Sequence, residues 1–130
     1  MQYLADTDWV INYQHGVPSA ISALDTLRPQ GIGLSIVSLA ELYEGVFYSV
    51  NPQAEMLSLQ NFLADIEIIH LDEVICQIFA RQRGRLRAAG NIIGDLDILI
   101  GSTALRHNLT LLTNNIRHFE RLEGLNIIST

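Results

Sequence analysis

Asp6, Glu41 and Asp97 are carboxylates set in apolar company, in Tyr-Leu-Ala-Asp6, Ser-Leu-Ala-Glu41-Leu and Gly-Asp-Leu-Asp97-Ile-Leu-Ile, and they are spread across the whole chain. An acid at the end or mouth of an apolar segment must have its charge solvated. Where several such ends converge, one divalent cation serves all of them, because a hard cation takes its ligands from oxygen. The same positions fit a simpler purpose. Asp6 suits a helix N-cap worth roughly 1 kcal/mol, and Glu41 suits the third position of a capping box.

A shared site requires apolar elements that deliver these acids to one edge. Residues 3–5 read as a short buried strand, followed by helices over about 7–13 and 18–27, the second repeating Ile21, Leu24 and Leu27 at helical spacing. Arg28-Pro29, Gly31 and Gly33 end that helix. Residues 32–37 read as a second strand, and Ser38 as the cap of a helix that carries Glu41 and runs to about Tyr48. Asn51-Pro52 opens a helix to about Ala64. A third strand is expected over 66–70, then a helix over 73–88 stopped by Gly90 and Asn91. Asp95 or its neighbour caps a helix to about His107, and 109–113, 116–121 and 126–128 read as strand, short helix and strand. Apolar strands alternating with helices indicate an α/β fold, a single domain over 1–130 with a mainly parallel sheet covered on both faces. In such a sheet the ligand site lies beyond the carboxyl ends of the strands, where strand order reverses. Asp6, Glu41 and Asn115 follow strands onto that edge. Asp97 joins them only if its helix begins there.

The 130 residues suffice for one core. With 48% apolar residues, some apolar surface is expected to be covered by another subunit or a partner, and a homodimer is the expected assembly. No apolar run approaches the roughly 20 residues of a membrane span, and Asp6 and Asp8 stand where a signal peptide would be basic or apolar, so the expected location is cytoplasmic. Cys76 is the only cysteine; it excludes an internal disulfide and a thiolate zinc site, and reads as a small buried side chain on a helix. The net charge of −6 is uneven. Ten acids and one arginine precede Arg81, and from there on seven arginines meet four acids. The chain has no lysine.

Asp6-Thr7-Asp8, Ser38-Leu-Ala-Glu41-Leu, Ile93-Gly-Asp95-Leu-Asp97-Ile-Leu-Ile-Gly101 and Leu111-Leu-Thr113-Asn-Asn115 with His118-Phe119 come in the order seen in PIN-domain ribonucleases. The chain resembles their VapC toxin branch over almost its full length, including the closing Phe119-Glu-Arg-Leu-Glu-Gly-Leu125. The resemblance implies a PIN-like three-layer α/β/α sandwich in which Asp6, Glu41 and Asp97 are the catalytic ligands of Mg2+ or Mn2+. It also implies in-line hydrolysis of RNA, with tRNA or ribosomal RNA as substrate, leaving 3′-hydroxyl and 5′-phosphate ends and inhibiting translation. The implied partner is a cognate antitoxin, a small DNA-binding protein whose C-terminal segment lies in an apolar groove and reaches an Arg or other polar group toward the acids.

The family often carries a fourth acid where Asn115 stands, and an amide brings no charge. Asp8, where Asn or Ser is common, and Asp95 are the candidates to supply it; Thr7 and Thr113 are candidate supports for the ligands. Arg81 and Arg85 share a helix face and, with Arg117, are the candidate RNA contacts, though arginines there suit pairing with the acid-rich first half equally well. His15, His70, His107 and His118 show no ligand spacing and read as surface or structural groups, and Trp9, Tyr13, Tyr43, Phe47 and Tyr48 as core or interface. Two other classes stay open. One is a non-catalytic PIN-like module that binds RNA or protein. The other is a haloacid-dehalogenase-type phosphatase built on Asp6-x-Asp8, which normally needs the lysine this chain lacks.

Overall fold

Five short parallel strands carry the site. The computed structural model describes residues 1–130, with β1 (Tyr3–Ala5), α1 (Thr7–Gln14), α2 (Pro18–Leu27), β2 (Ile32–Ser35), α3 (Ile36–Phe47), α4 (Pro52–Leu63), β3 (Glu67–Ile69), α5 (Glu73–Ala88), α6 (Asp95–Arg106), β4 (Thr110–Leu112), α7 (Ile116–Phe119) and β5 (Ile127–Ile128). The sheet order is β3-β2-β1-β4-β5, with Tyr3 opposite both Ile32 and Thr110. All four pairings are parallel. The chain moves outward from β1 to β3 and then crosses back to β4, so strand order reverses between β1 and β4.

The alternation of side chains along each strand splits the core in two. Tyr3 and Ala5 of β1, with Ile32, Leu34 and Leu112, face Trp9, Val10, Leu24, Leu42, Leu59 and Phe62 from α1 to α4. Leu4 and Leu111 face the other way, onto Leu86, Ile98, Ile100, Ala104, Phe119 and Leu122. Both faces are covered, which is why β1 and β2 are buried along their whole length and the strands read as apolar runs rather than alternating ones. The expected three layers are present.

Two features differ from the sequence reading. The cap of α3 is Ser35, whose Oγ accepts from Val37 N at 3.1 Å; Ser38 lies buried inside the helix. The β-branched pair Ile36-Val37 looked like strand, but Ser35 already satisfies an open helix N–H, so the helix begins earlier. Glu41 is therefore in the second turn of α3 and is no capping-box residue. Cys76 is exposed on α5 rather than buried; Ile75 beside it takes the core position.

A helix leading into a parallel strand runs against it, so α6 starts at the carboxyl edge of the sheet. Its seat is set by Gly101: a Cβ there would run into Leu122 Cδ1 and lie 3.5 Å from Phe119 Cδ1. The segment following β4 packs directly on the α6 backbone.

Candidate active site

Asp6 ends β1 and caps α1, and the two roles coincide. Its backbone N–H donates to Leu112 O at 2.9 Å, continuing the β1/β4 ladder. Its Oδ1 accepts from Thr7 N at 2.8 Å, and its Oδ2 accepts from Thr113 Oγ1 at 2.7 Å. The carboxyl is buried at the point where strand order reverses. Burial, with the nearby charges of Asp8 and Asp97, outweighs those hydrogen bonds and pushes its pKa up to about 7. Asp8, in the first turn of α1, accepts from Asn114 N through Oδ2 at 3.0 Å, while its Oδ1 is buried without a partner. Burial raises the Asp8 pKa as well.

Glu41 reaches this edge from α3, where Thr7 Oγ1 donates to its Oε1 at 2.8 Å. Asp97 reaches it from the first turn of α6, with His118 Nδ1 3.1 Å from its Oδ2. Asn115 donates its backbone N–H to Thr113 Oγ1 at 3.0 Å and sets its side-chain amide 2.9 Å from His118 Nδ1. One hydrogen-bonded chain thus runs Glu41, Thr7, Asp6, Thr113, Asn115, His118, Asp97. Thr7 and Thr113 each hydrogen-bond one or more of these acids. His118 and Asn114 are the residues sequence reasoning missed. His118 stood in a recognised motif but showed no ligand spacing. Asn114 also accepts from Trp9 Nε1 at 3.0 Å and Thr130 N at 3.0 Å, tying α1 to the C-terminal residue.

The donor set suits a hard divalent cation. Asp6, Asp8, Glu41 and Asp97 offer only oxygen, and none of them pairs with an arginine. The buried, unpartnered Asp8 Oδ1 beside Asp6 is an oxygen that a cation could satisfy. The acids ring the edge rather than close on one point: no three His, Cys, Asp or Glu side chains form a ready metal-holding group. That spread is compatible with Mg2+, which binds through one or two carboxylates and fills its remaining positions with water and phosphate oxygen.

Other candidates lie elsewhere. Asp95 does not join the acids, because Arg83 Nε, from α5, holds its Oδ1 at 2.7 Å. Arg85 is spent on structure: its Nη2 donates to Gln82 Oε1 at 2.8 Å and to Arg121 O at 2.6 Å, with Glu123 at 3.7 Å. Arg81 and Arg117 are exposed and have no acid partner. Arg85→Ala is therefore expected to lower stability by about 1 kcal/mol, by removing its hydrogen bonds to Gln82 Oε1 and the Arg121 carbonyl. Arg81→Ala, with no such contact to lose, is expected to leave the melting temperature alone. Thermal melts of the two variants separate them.

Residues 3–125 match the PIN domain family. Ribonuclease VapC2 of Rickettsia felis is 38% identical over 127 residues, spanning 96% of this chain and 95% of its own length. The tRNA(fMet)-specific endonuclease VapC of Salmonella typhimurium is 26% identical over 127 residues, spanning 98% and 96%. The crystal structure of VapBC2 from Rickettsia felis bound to a DNA fragment from their promoter matches with a TM-score of 0.92 at 32% identity, covering 99% of this chain and 98% of that one.

Proposed function

The chain belongs to the PIN-domain family, in its VapC ribonuclease branch, and from that premise we propose that it is the toxin of a toxin–antitoxin pair. It is a Mg2+-dependent endoribonuclease, with Mn2+ able to replace Mg2+, and it stops translation by cutting tRNA or ribosomal RNA. The observation that carries this reading is the gathering of Asp6, Asp8, Glu41 and Asp97 at the β1/β4 edge with no arginine paired to any of them. When bound, the cation supplies Lewis acidity at the scissile phosphate and a nucleophile at neutral pH.

The chain's own residues hold that chemistry in place. Asp6, Glu41 and Asp97 bind the cation; the Thr7 N–H and the Thr113 hydroxyl fix both oxygens of Asp6, and the Thr7 hydroxyl fixes Glu41. Asp8 adds negative charge beside Asp6 that Asn115 cannot. Arg81 and Arg117 are left to meet RNA phosphates. A tRNA substrate is supported by the relative named for tRNA(fMet), and an antitoxin partner by the VapBC assembly. Exposed Phe47, Tyr48, Val50 and Leu57 at the α3–α4 corner give the antitoxin or a second copy an apolar surface to cover. The expected place of action is the cytoplasm, where translation occurs; no helix is long and apolar enough to cross a membrane.

The test incubates antitoxin-free protein with a mixed tRNA and ribosomal RNA pool, with Mg2+, with Mn2+ and with chelator, beside an Asp6→Asn/Asp97→Asn double variant. Discrete cuts bearing 3′-hydroxyl and 5′-phosphate ends are expected, absent with chelator and absent in the variant. Folded wild-type protein that binds RNA without cutting it would make the chain a non-catalytic module instead.

A further inference from the structure

We infer that Asn115 and His118 act as one positioning pair that fixes Asp97, committing its Oδ2 and leaving Oδ1 for the cation; this rests on the metal-dependent reading above. The hydrogen-bond logic requires the pair to work together. His118 Nδ1 lies 3.1 Å from Asp97 Oδ2, and a carboxylate oxygen only accepts, so Nδ1 must carry the hydrogen. Asn115 then cannot donate to the same nitrogen. The 2.9 Å contact is satisfied when the Asn115 amide is turned to present Oδ1, so that Nδ1–H is shared between amide and carboxylate. The amide thereby selects the ring face and tautomer that serve Asp97.

The backbone builds this contact in. Asp97 and Gly101 share one face of α6, four residues apart, and the segment carrying His118 lies on that face. Phe119 is fully buried there and Leu122 nearly so, with Leu122 against the bare Gly101. At its other end Asn115 is tied through Thr113 to Asp6. The pair therefore sets the spacing between the Asp6 and Asp97 carboxylates. Asn115 acts through His118, which makes it a positioning residue rather than a replacement ligand.

The test is Mn2+ affinity, measured by titration calorimetry on the full chain without RNA, for His118→Ala, Asn115→Ala, the double variant and His118→Asn. His118 Nδ1 corresponds to the amide nitrogen of asparagine, so His118→Asn keeps the donor. Expected is a loss of about 10- to 100-fold in Mn2+ affinity for His118→Ala and a smaller loss for Asn115→Ala. The double variant should fall within about twofold of His118→Ala alone, since both act on one contact, and His118→Asn should recover most of the affinity. The His118 side chain is 45% exposed, and melting temperatures near wild type are expected throughout. Wild-type affinity retained in His118→Ala, or losses that multiply in the double variant, would overturn the pair while leaving the metal site standing. A wild-type protein that binds no Mn2+ overturns the pair and the metal-dependent reading together.

Discussion

Asp6→Asn is expected to melt at a higher temperature than wild type when both are stripped of divalent cations at pH 8, and to lose nearly all RNA cleavage when cations are restored. The stabilisation follows from burial. The ordinary Asp value of 3.8 describes the unfolded chain, and in the folded protein Asp6 is pushed up to about 7. Between those values the folded state keeps a proton that the unfolded state has released. The stability this contributes is complete below about pH 4, falls as pH rises through the window, and is gone above pH 7. At pH 8 the folded protein must hold the ion in an apolar setting. A shift of that size corresponds to at most about 4 kcal/mol, and relaxation around the acid is expected to leave roughly half. The melting temperature should then rise by roughly 5 to 10 °C in the variant at pH 8 and by much less at pH 5, where wild-type Asp6 is already protonated. Asparagine keeps the local bonds, because Oδ1 can accept from Thr7 N while Nδ2 donates to a reoriented Thr113 hydroxyl. Mn2+ should raise the wild-type melting temperature by mass action and leave the variant unmoved. Loss of cleavage should exceed the roughly 10- to 100-fold typical of losing a group that only orients a metal ligand. Calorimetric melts at both pH values, with chelator and with Mn2+, check this; a variant that melts below wild type at pH 8 would sink the account.

The position of Asp6 was legible because a buried strand, an acid and a helix start lie in immediate succession. The strands around it were legible as short, mostly apolar runs between helical stretches. The start of α3 was not, because Ile36 and Val37 favour strand locally, while Ser35 and the packing of Leu42 and Val46 favour helix. Asp97 could be placed on a helix but not at an edge until the crossover to β4 fixed which way that helix runs. The least legible features are contacts between elements distant in sequence. Nothing in the local pattern says that Arg83 takes Asp95 or that Arg85 is used by Gln82 and a carbonyl, since four arginines at alternate positions look alike until α6 and the C-terminal segment pack beside them. His118 was hidden for the same reason. It is separated from Asp97 by a helix, a strand and a turn, and metal-site spacing rules look for neighbours along the chain.

The two halves of the core should therefore be separable by their effect on the site. Phe119→Ala is expected to cost about 3 to 5 kcal/mol, because the ring is fully buried and its removal leaves a cavity that Gly101 has no side chain to fill. Against the roughly 5 to 15 kcal/mol that holds a domain of this size, the melting temperature should fall by on the order of 15 °C. Leu59→Ala removes an equally buried side chain from the opposite face of the sheet and should cost a comparable 2 to 5 kcal/mol, about the range of such truncations. Their consequences for the site should differ. Phe119 adjoins His118 and seats the α7 turn against α6, so its loss frees His118 and Asn115 to drift from Asp97, and Mn2+ affinity should drop about as far as in His118→Ala. Leu59 lies behind α1 and α3 and leaves that turn in place, so Mn2+ affinity at a temperature where both variants are folded should match wild type. Equal Mn2+ affinities in two variants of equal stability loss would mean that α7 is held by more than its contact with Gly101. The seat of Asp97 would then have to be sought in α6 itself.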